Sequence, residues 1–125
     1  MPRTPNSAIL ERLYRTIASR RGADPSTSYT AKLFADGAER IAKKLGEEGV
    51  EAALAAASGD RAALVRESAD VLYHLMVAWA NARIPPGKVY AELARREGTS
   101  GVAEKAARGA KIVAAKARKG RKRQG

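Results

Sequence analysis

At 125 residues the chain is the size of one domain, and it holds no cysteine, which excludes a disulfide framework and any thiolate metal site. Its apolar fraction is 45%, but much of that is alanine, with one Phe, one Trp and two Met, so the core of a single copy is thin and a helical homodimer is the expected way to bury more. The formal charge is +11, yet residues 101–125 carry nine Lys/Arg against one acid, a net of +8, which leaves +3 for residues 1–100. The excess therefore belongs to the tail and does not by itself make the domain a nucleic-acid binder.

In chain order, the first segment MPRTPNSAILERLYR lacks the apolar centre of a signal peptide, and Ile9, Leu10, Leu13, Tyr14 and Ile17 recur at helical spacing over residues 7–20. Gly22 and Asp24-Pro25 end that pattern. Ser26-Thr27-Ser28 offers hydroxyl caps for a short turn over Tyr29 to Ala35, closed by Asp36-Gly37. From Gly37 to Ala57 there is no proline, and Ala38, Ile41, Ala42, Leu45, Gly49, Ala52, Ala53 and Ala56 trace a small-residue stripe read as the packing face. Ser58-Gly59-Asp60 breaks this helix and caps the next, from about Arg61 to Ala82, and so short a link makes the pair an antiparallel hairpin.

Within that fourth segment the run Val71 to Ala80 is the longest apolar stretch, but at ten residues it falls short of the roughly 20 needed to span a bilayer. A soluble, cytoplasmic protein without membrane contact is expected. Pro85-Pro86-Gly87 opens a further helix carrying Val89, Tyr90, Leu93 and Ala94, ended by Glu97-Gly98. After Thr99-Ser100-Gly101 the sequence is rich in Ala, Lys and Arg, and residues 109–125 are expected to form a disordered basic tail. The reading is an all-α antiparallel bundle over residues 1–100, completed by dimerisation.

The chemistry-bearing residues lie on the hairpin. Lys44, Glu47, Glu48 and Glu51 stand at i, i+3, i+4 and i+7 and share one face of the third segment, where three carboxylates repel one another unless water or a cation compensates. Glu67, Asp70 and His74 stand at i, i+3 and i+7 on the fourth. Asp70 enters an otherwise apolar run, and a carboxylate buried there needs a partner, a hydrogen bond or a metal. The antiparallel partner can supply the other half of one acidic site. Carboxylates without thiols select a hard cation, so Mg2+ or Mn2+ is expected.

This ordered series, E-E-x-x-E followed by E-x-x-D, resembles the metal-binding signature of the all-α nucleotide pyrophosphohydrolases. Within them the chain is most similar to the phosphoribosyl-ATP pyrophosphohydrolase family. The likeness runs over Ser28-Tyr29-Thr30 with Lys32-Leu33, Lys44-Leu45-Gly46-Glu47-Glu48 with Val50-Glu51, Gly59-Asp60, and Glu67 with Ala69-Asp70-Val71-Leu72-Tyr73-His74-Leu75. It continues at Ser100-Gly101 with Glu104-Lys105-Ala106, covering about residues 26–108. Gly49, the stretch Phe34 to Gly37 and the basic extension depart from the family pattern, and none of these removes a ligand.

The resemblance implies magnesium-dependent hydrolysis of phosphoribosyl-ATP to phosphoribosyl-AMP and pyrophosphate, the second step of histidine biosynthesis. It implies Glu48, Glu51, Glu67 and Asp70 as metal ligands, with Glu47 behind the metal or as the catalytic base. Lys44 and Lys32 are candidates to meet substrate phosphates, or else form ion pairs within their own helices. His74 is read as a hydrogen-bonded structural residue, and Tyr73 and Trp79 as core or dimer contacts that could also stack on a base. Two rival readings remain: a house-cleaning nucleoside triphosphate pyrophosphohydrolase, and a nucleic-acid-binding protein acting through its tail. The tail has no aromatic residue for stacking, which disfavours the second.

Overall fold

The computed structural model describes residues 4–99 and 101–124, with the side chains of residues 103, 104 and 120–124 outside it, so Ser100 and the Glu104 side chain lie outside the described residues. The helices are α1 (Ala8–Ser19), α2 (Tyr29–Asp36), α3 (Ala38–Ser58), α4 (Arg61–Asn81), α5 (Pro86–Arg96) and α6 (Gly101–Gln124). No strand occurs among the described residues, and the fold is all-α. No helix among them is long and apolar enough to cross a membrane. The chain divides into two compact units, Met1–Pro86 and Gly87–Gly125.

In the first unit, local chemistry sets the helix ends. The Ser28 side chain accepts from the Ala31 N–H at 3.1 Å and opens α2, and Asp60 accepts from the Ala63 N–H at 3.0 Å and opens α4. Each cap is worth roughly 1 kcal/mol. Gly59, with φ of +74°, takes the left-handed conformation that stops α3, leaving only Gly59-Asp60 between the two long helices. The link is too short for any arrangement but an antiparallel hairpin. At its far end, α4 stops where Arg83 has φ of +60°, Arg21 donates to the Ala80 carbonyl, and the Tyr14 hydroxyl donates to the Ile84 carbonyl at 2.8 Å. The Arg21 guanidinium also lies 4.9 Å from the centre of the Phe34 ring, so one side chain just past the end of α1 bridges α2 and α4.

The core is small and lies toward the C-terminal half of α4, where Ile17, Leu33, Ile41, Met76, Val77 and Ala80 are buried, with Leu10, Leu13, Tyr14, Phe34, Tyr73 and Trp79 packed on them. The other half of the hairpin leaves Val50, Leu54, Val65 and Leu72 exposed. The small-residue stripe expected on α3 is only partly the packing face. Ile41 and Ala55 are buried and Lys44, Leu45, Glu48 and Ala52 half-buried, whereas Ala38, Ala42, Gly49, Ala53 and Ala56 are exposed. An alanine methyl costs little on either side of a helix, so Ala-rich periodicity fixes a face poorly.

In the second unit, Glu92 of α5 accepts from Arg95 at 2.7 Å and from Arg96 at 3.0 Å, and these hydrogen bonds lower its pKa to about 2. α6 runs as far as Gln124 and so takes in most of the basic tail, Gly125 lying outside the described residues. Low hydrophobicity rules out a packed core there, but Ala, Lys and Arg are strong helix formers and no proline interrupts them. Val102, Ile112 and Val113 of α6 are exposed.

Candidate functional site

The hairpin fixes the register of the acidic residues. Glu48 and Asp70 each stand eleven residues from Gly59, and Glu51 and Glu67 each stand eight, so folding the chain back at Gly59 sets the two acidic motifs opposite one another. Glu48, Glu67 and Asp70 each offer an oxygen within 4.8 Å of the others, with Glu48 and Glu67 half-buried and Asp70 exposed. The surroundings of Glu67 show the strain of this grouping. Partial burial, followed by the negative charges of Asp70, Glu48 and Glu51, raises its pKa, with Arg66 opposing.

Glu51 is exposed and acts on Glu67 through its charge, but it is not in the close trio. Glu47 is exposed and lies 3.4 Å from Lys44 in an intrahelical ion pair. Lys32 pairs in the same way with Asp36 at 3.3 Å. Both lysines therefore hold a carboxylate of their own helix; such exposed pairs are worth at most about 1 kcal/mol, and a phosphate can displace them. Asp70 is exposed rather than buried in the apolar run, because the core lies beyond it at Met76, Val77 and Ala80 and the flanking Leu72 is itself open.

His74 is buried, with its Nδ1 at 2.9 Å from the Asp70 carbonyl, one helical turn back. With Nδ1–H donating, Nε2 is the acceptor, and it has no partner among the described residues. The ring meets Tyr73 edge-on at 5.0 Å and Tyr29 edge-on at 6.3 Å. Tyr73 shares a hydroxyl hydrogen bond with Thr30. Burial raises its pKa, against the opposing effect of that bond. In the sequence Tyr29 enters only as part of the Ser28-Tyr29-Thr30 likeness, since nothing in its local pattern shows that α2 lays its first residue against His74.

The donor set is all oxygen and stands on two helices, the donor chemistry that hard divalent ions prefer. Two acidic motifs facing each other on an all-α hairpin are the arrangement that the resemblance to the all-α nucleotide pyrophosphohydrolases implies. Residues 10–97 match the phosphoribosyl-ATP pyrophosphohydrolase family. A phosphoribosyl-ATP pyrophosphatase of Azospirillum brasilense is 59% identical over 82% of this chain and 93% of its own length. One of Rhizorhabdus wittichii is 62% identical over 82% of this chain and 96% of its own. One of Paramagnetospirillum magneticum is 59% identical over 85% and 97%. The chain belongs to the phosphoribosyl-ATP pyrophosphohydrolase family.

Proposed function

We propose that the protein hydrolyses phosphoribosyl-ATP to phosphoribosyl-AMP and pyrophosphate, in the second step of histidine biosynthesis, and does so in the cytoplasm. The observation that carries the reading is the oxygen trio of Glu48, Glu67 and Asp70 on the hairpin of a chain in this family. Glu48, Glu51, Glu67 and Asp70 are the residues to hold Mg2+, with Mn2+ as a substitute of the same preference. When bound, the divalent ion supplies charge neutralisation for the triphosphate and the departing pyrophosphate.

The chain's own groups supply position and proton transfer. Glu47, exposed and held among the described residues by a long contact to Lys44, is the group to accept the proton of the attacking water. Lys44, freed from that pair by substrate, meets a phosphate oxygen, and Lys32 does the same from α2 once it leaves Asp36. The Nδ1–H of His74 holds the Asp70 carbonyl and so steadies the turn that bears the Asp70 carboxylate.

A homodimer completes the molecule in this reading. Arg61, Leu64, Val65, Ser68, Ala69 and Leu72 line an apolar groove of about 640 Å³ on the side of α4 turned away from Asp70. A second copy would cover that groove and leave the carboxylates open to substrate. A substrate panel tests the proposal: pyrophosphate should be released from phosphoribosyl-ATP far faster than from deoxynucleoside triphosphates, and the opposite preference would make the protein a house-cleaning enzyme instead.

A further inference from the structure

Tyr29 is the first residue of α2, placed there by the Ser28 cap, and it is 51% exposed. Single exposed aromatic residues are common, and exposure alone says nothing. What sets this one apart is its mount. Its ring stands edge-on to His74 at 6.3 Å and lies within 22° of parallel to Tyr73 at 6.5 Å. Both supports are themselves fixed, His74 by burial and by its bond to the Asp70 carbonyl, and Tyr73 by its hydroxyl bond to Thr30. The ring is thus held on one side by rigid neighbours while the rest of it remains open to water.

Its position follows from the phase of α4. Glu67, Asp70 and His74 share one helix face, and the four residues from Asp70 to His74 rise about 6 Å. Tyr29 packs edge-on against His74, a residue of the α4 face that also carries Glu67 and Asp70. A cation held by carboxylates recognises phosphate and is indifferent to the base, so selection of a purine nucleotide needs a flat apolar surface beyond the phosphates. A rigid ring with one open side offers that surface at low entropic cost.

We propose that Tyr29 is the platform on which the purine ring of the nucleotide substrate stacks while the phosphates lie at Glu48, Glu67 and Asp70, an inference that rests on the reading of the protein as a nucleotide pyrophosphohydrolase. Stacking needs the ring and not the hydroxyl. Tyr29→Phe should therefore behave as the unaltered protein, whereas Tyr29→Ala and Tyr29→Leu should both lose the interaction, the second while keeping apolar cover over His74.

The test combines steady-state kinetics on phosphoribosyl-ATP with calorimetric titration, in Mg2+, of two probes: α,β-methylene-ATP, which carries the base, and tripolyphosphate, which does not. The Ala and Leu variants should raise KM about tenfold with kcat little changed, and weaken α,β-methylene-ATP by a similar factor. Tripolyphosphate affinity and the melting temperature of the Leu variant should stay where they were. Unchanged KM and analogue affinity in both variants would overturn the platform, as would equal weakening of both probes, which would mean a role on the phosphates or in the fold. A protein that binds α,β-methylene-ATP through Tyr29 yet releases no pyrophosphate from phosphoribosyl-ATP would uphold the platform and sink the proposed reaction instead.

Discussion

Glu48 of α3 and Asp70 of α4 bring carboxylate oxygens within 4.8 Å of each other across the hairpin, each the same number of residues from the turn at Gly59. Two like charges held so by rigid helices repel, and a divalent cation turns that repulsion into attraction. The consequences for stability and for activity therefore point in opposite directions.

Asp70→Asn and Glu48→Gln should each lower hydrolysis on the order of hundredfold or more, since each removes a charged ligand while keeping side-chain size. In chelator their melting temperatures should equal or exceed that of the unaltered protein, because one repelling charge is gone and exposed Asp70 has no ion pair among the described residues to strand. An active Asp70→Asn protein that melts much lower would show Asp70 to be a structural residue.

The raised pKa of Glu67 gives metal-free protein a pH dependence of definite sign. A carboxyl whose folded pKa lies above its ordinary value of 4.5 binds more protons folded than unfolded, so stability falls as pH rises from that value through the raised one. Thermal melts in chelator should show Glu67→Gln losing this part of the fall, and Mg2+ should remove it from the unaltered protein by favouring the ionised carboxylate. Identical pH profiles for the two chelated proteins would contradict the account.

The exposed apolar residues of α4 predict the dimer face. Val65→Glu or Leu72→Glu, placed in the groove beside Leu64 and Ala69, should shift sedimentation at micromolar concentration from dimer to monomer. An unaltered protein that sediments as a monomer would contradict this directly.

The tail should be dispensable for chemistry, because the family match ends at residue 97 and the acidic site lies between Glu47 and Asp70. A chain ending at Arg108 should keep kcat within about twofold, as substitutions far from a site usually do. A truncated protein that folds but no longer hydrolyses phosphoribosyl-ATP would assign the tail a part in catalysis.

The helix order was legible because its signals are local: Ser28 and Asp60 cap, Gly59 breaks, and Pro86 opens a helix. The pairing of E-E-x-x-E with E-x-x-D followed from one short link. Other features depend on what lies across the chain, and no local pattern carries them. The exposure of Asp70 depends on where the core stops. Tyr29 owes its place to a contact with His74 forty-five residues away. The helical course of α6 follows from helix propensity, which acts within a single segment.

The most direct test of the central claim is pyrophosphate release from phosphoribosyl-ATP by the full chain, in Mg2+ and then in excess chelator. Pyrophosphate and phosphoribosyl-AMP should appear in equal amounts with Mg2+, both should be lost in chelator, and both should recover when Mg2+ is restored. Turnover undiminished in chelator, or no pyrophosphate in the presence of Mg2+, would contradict it.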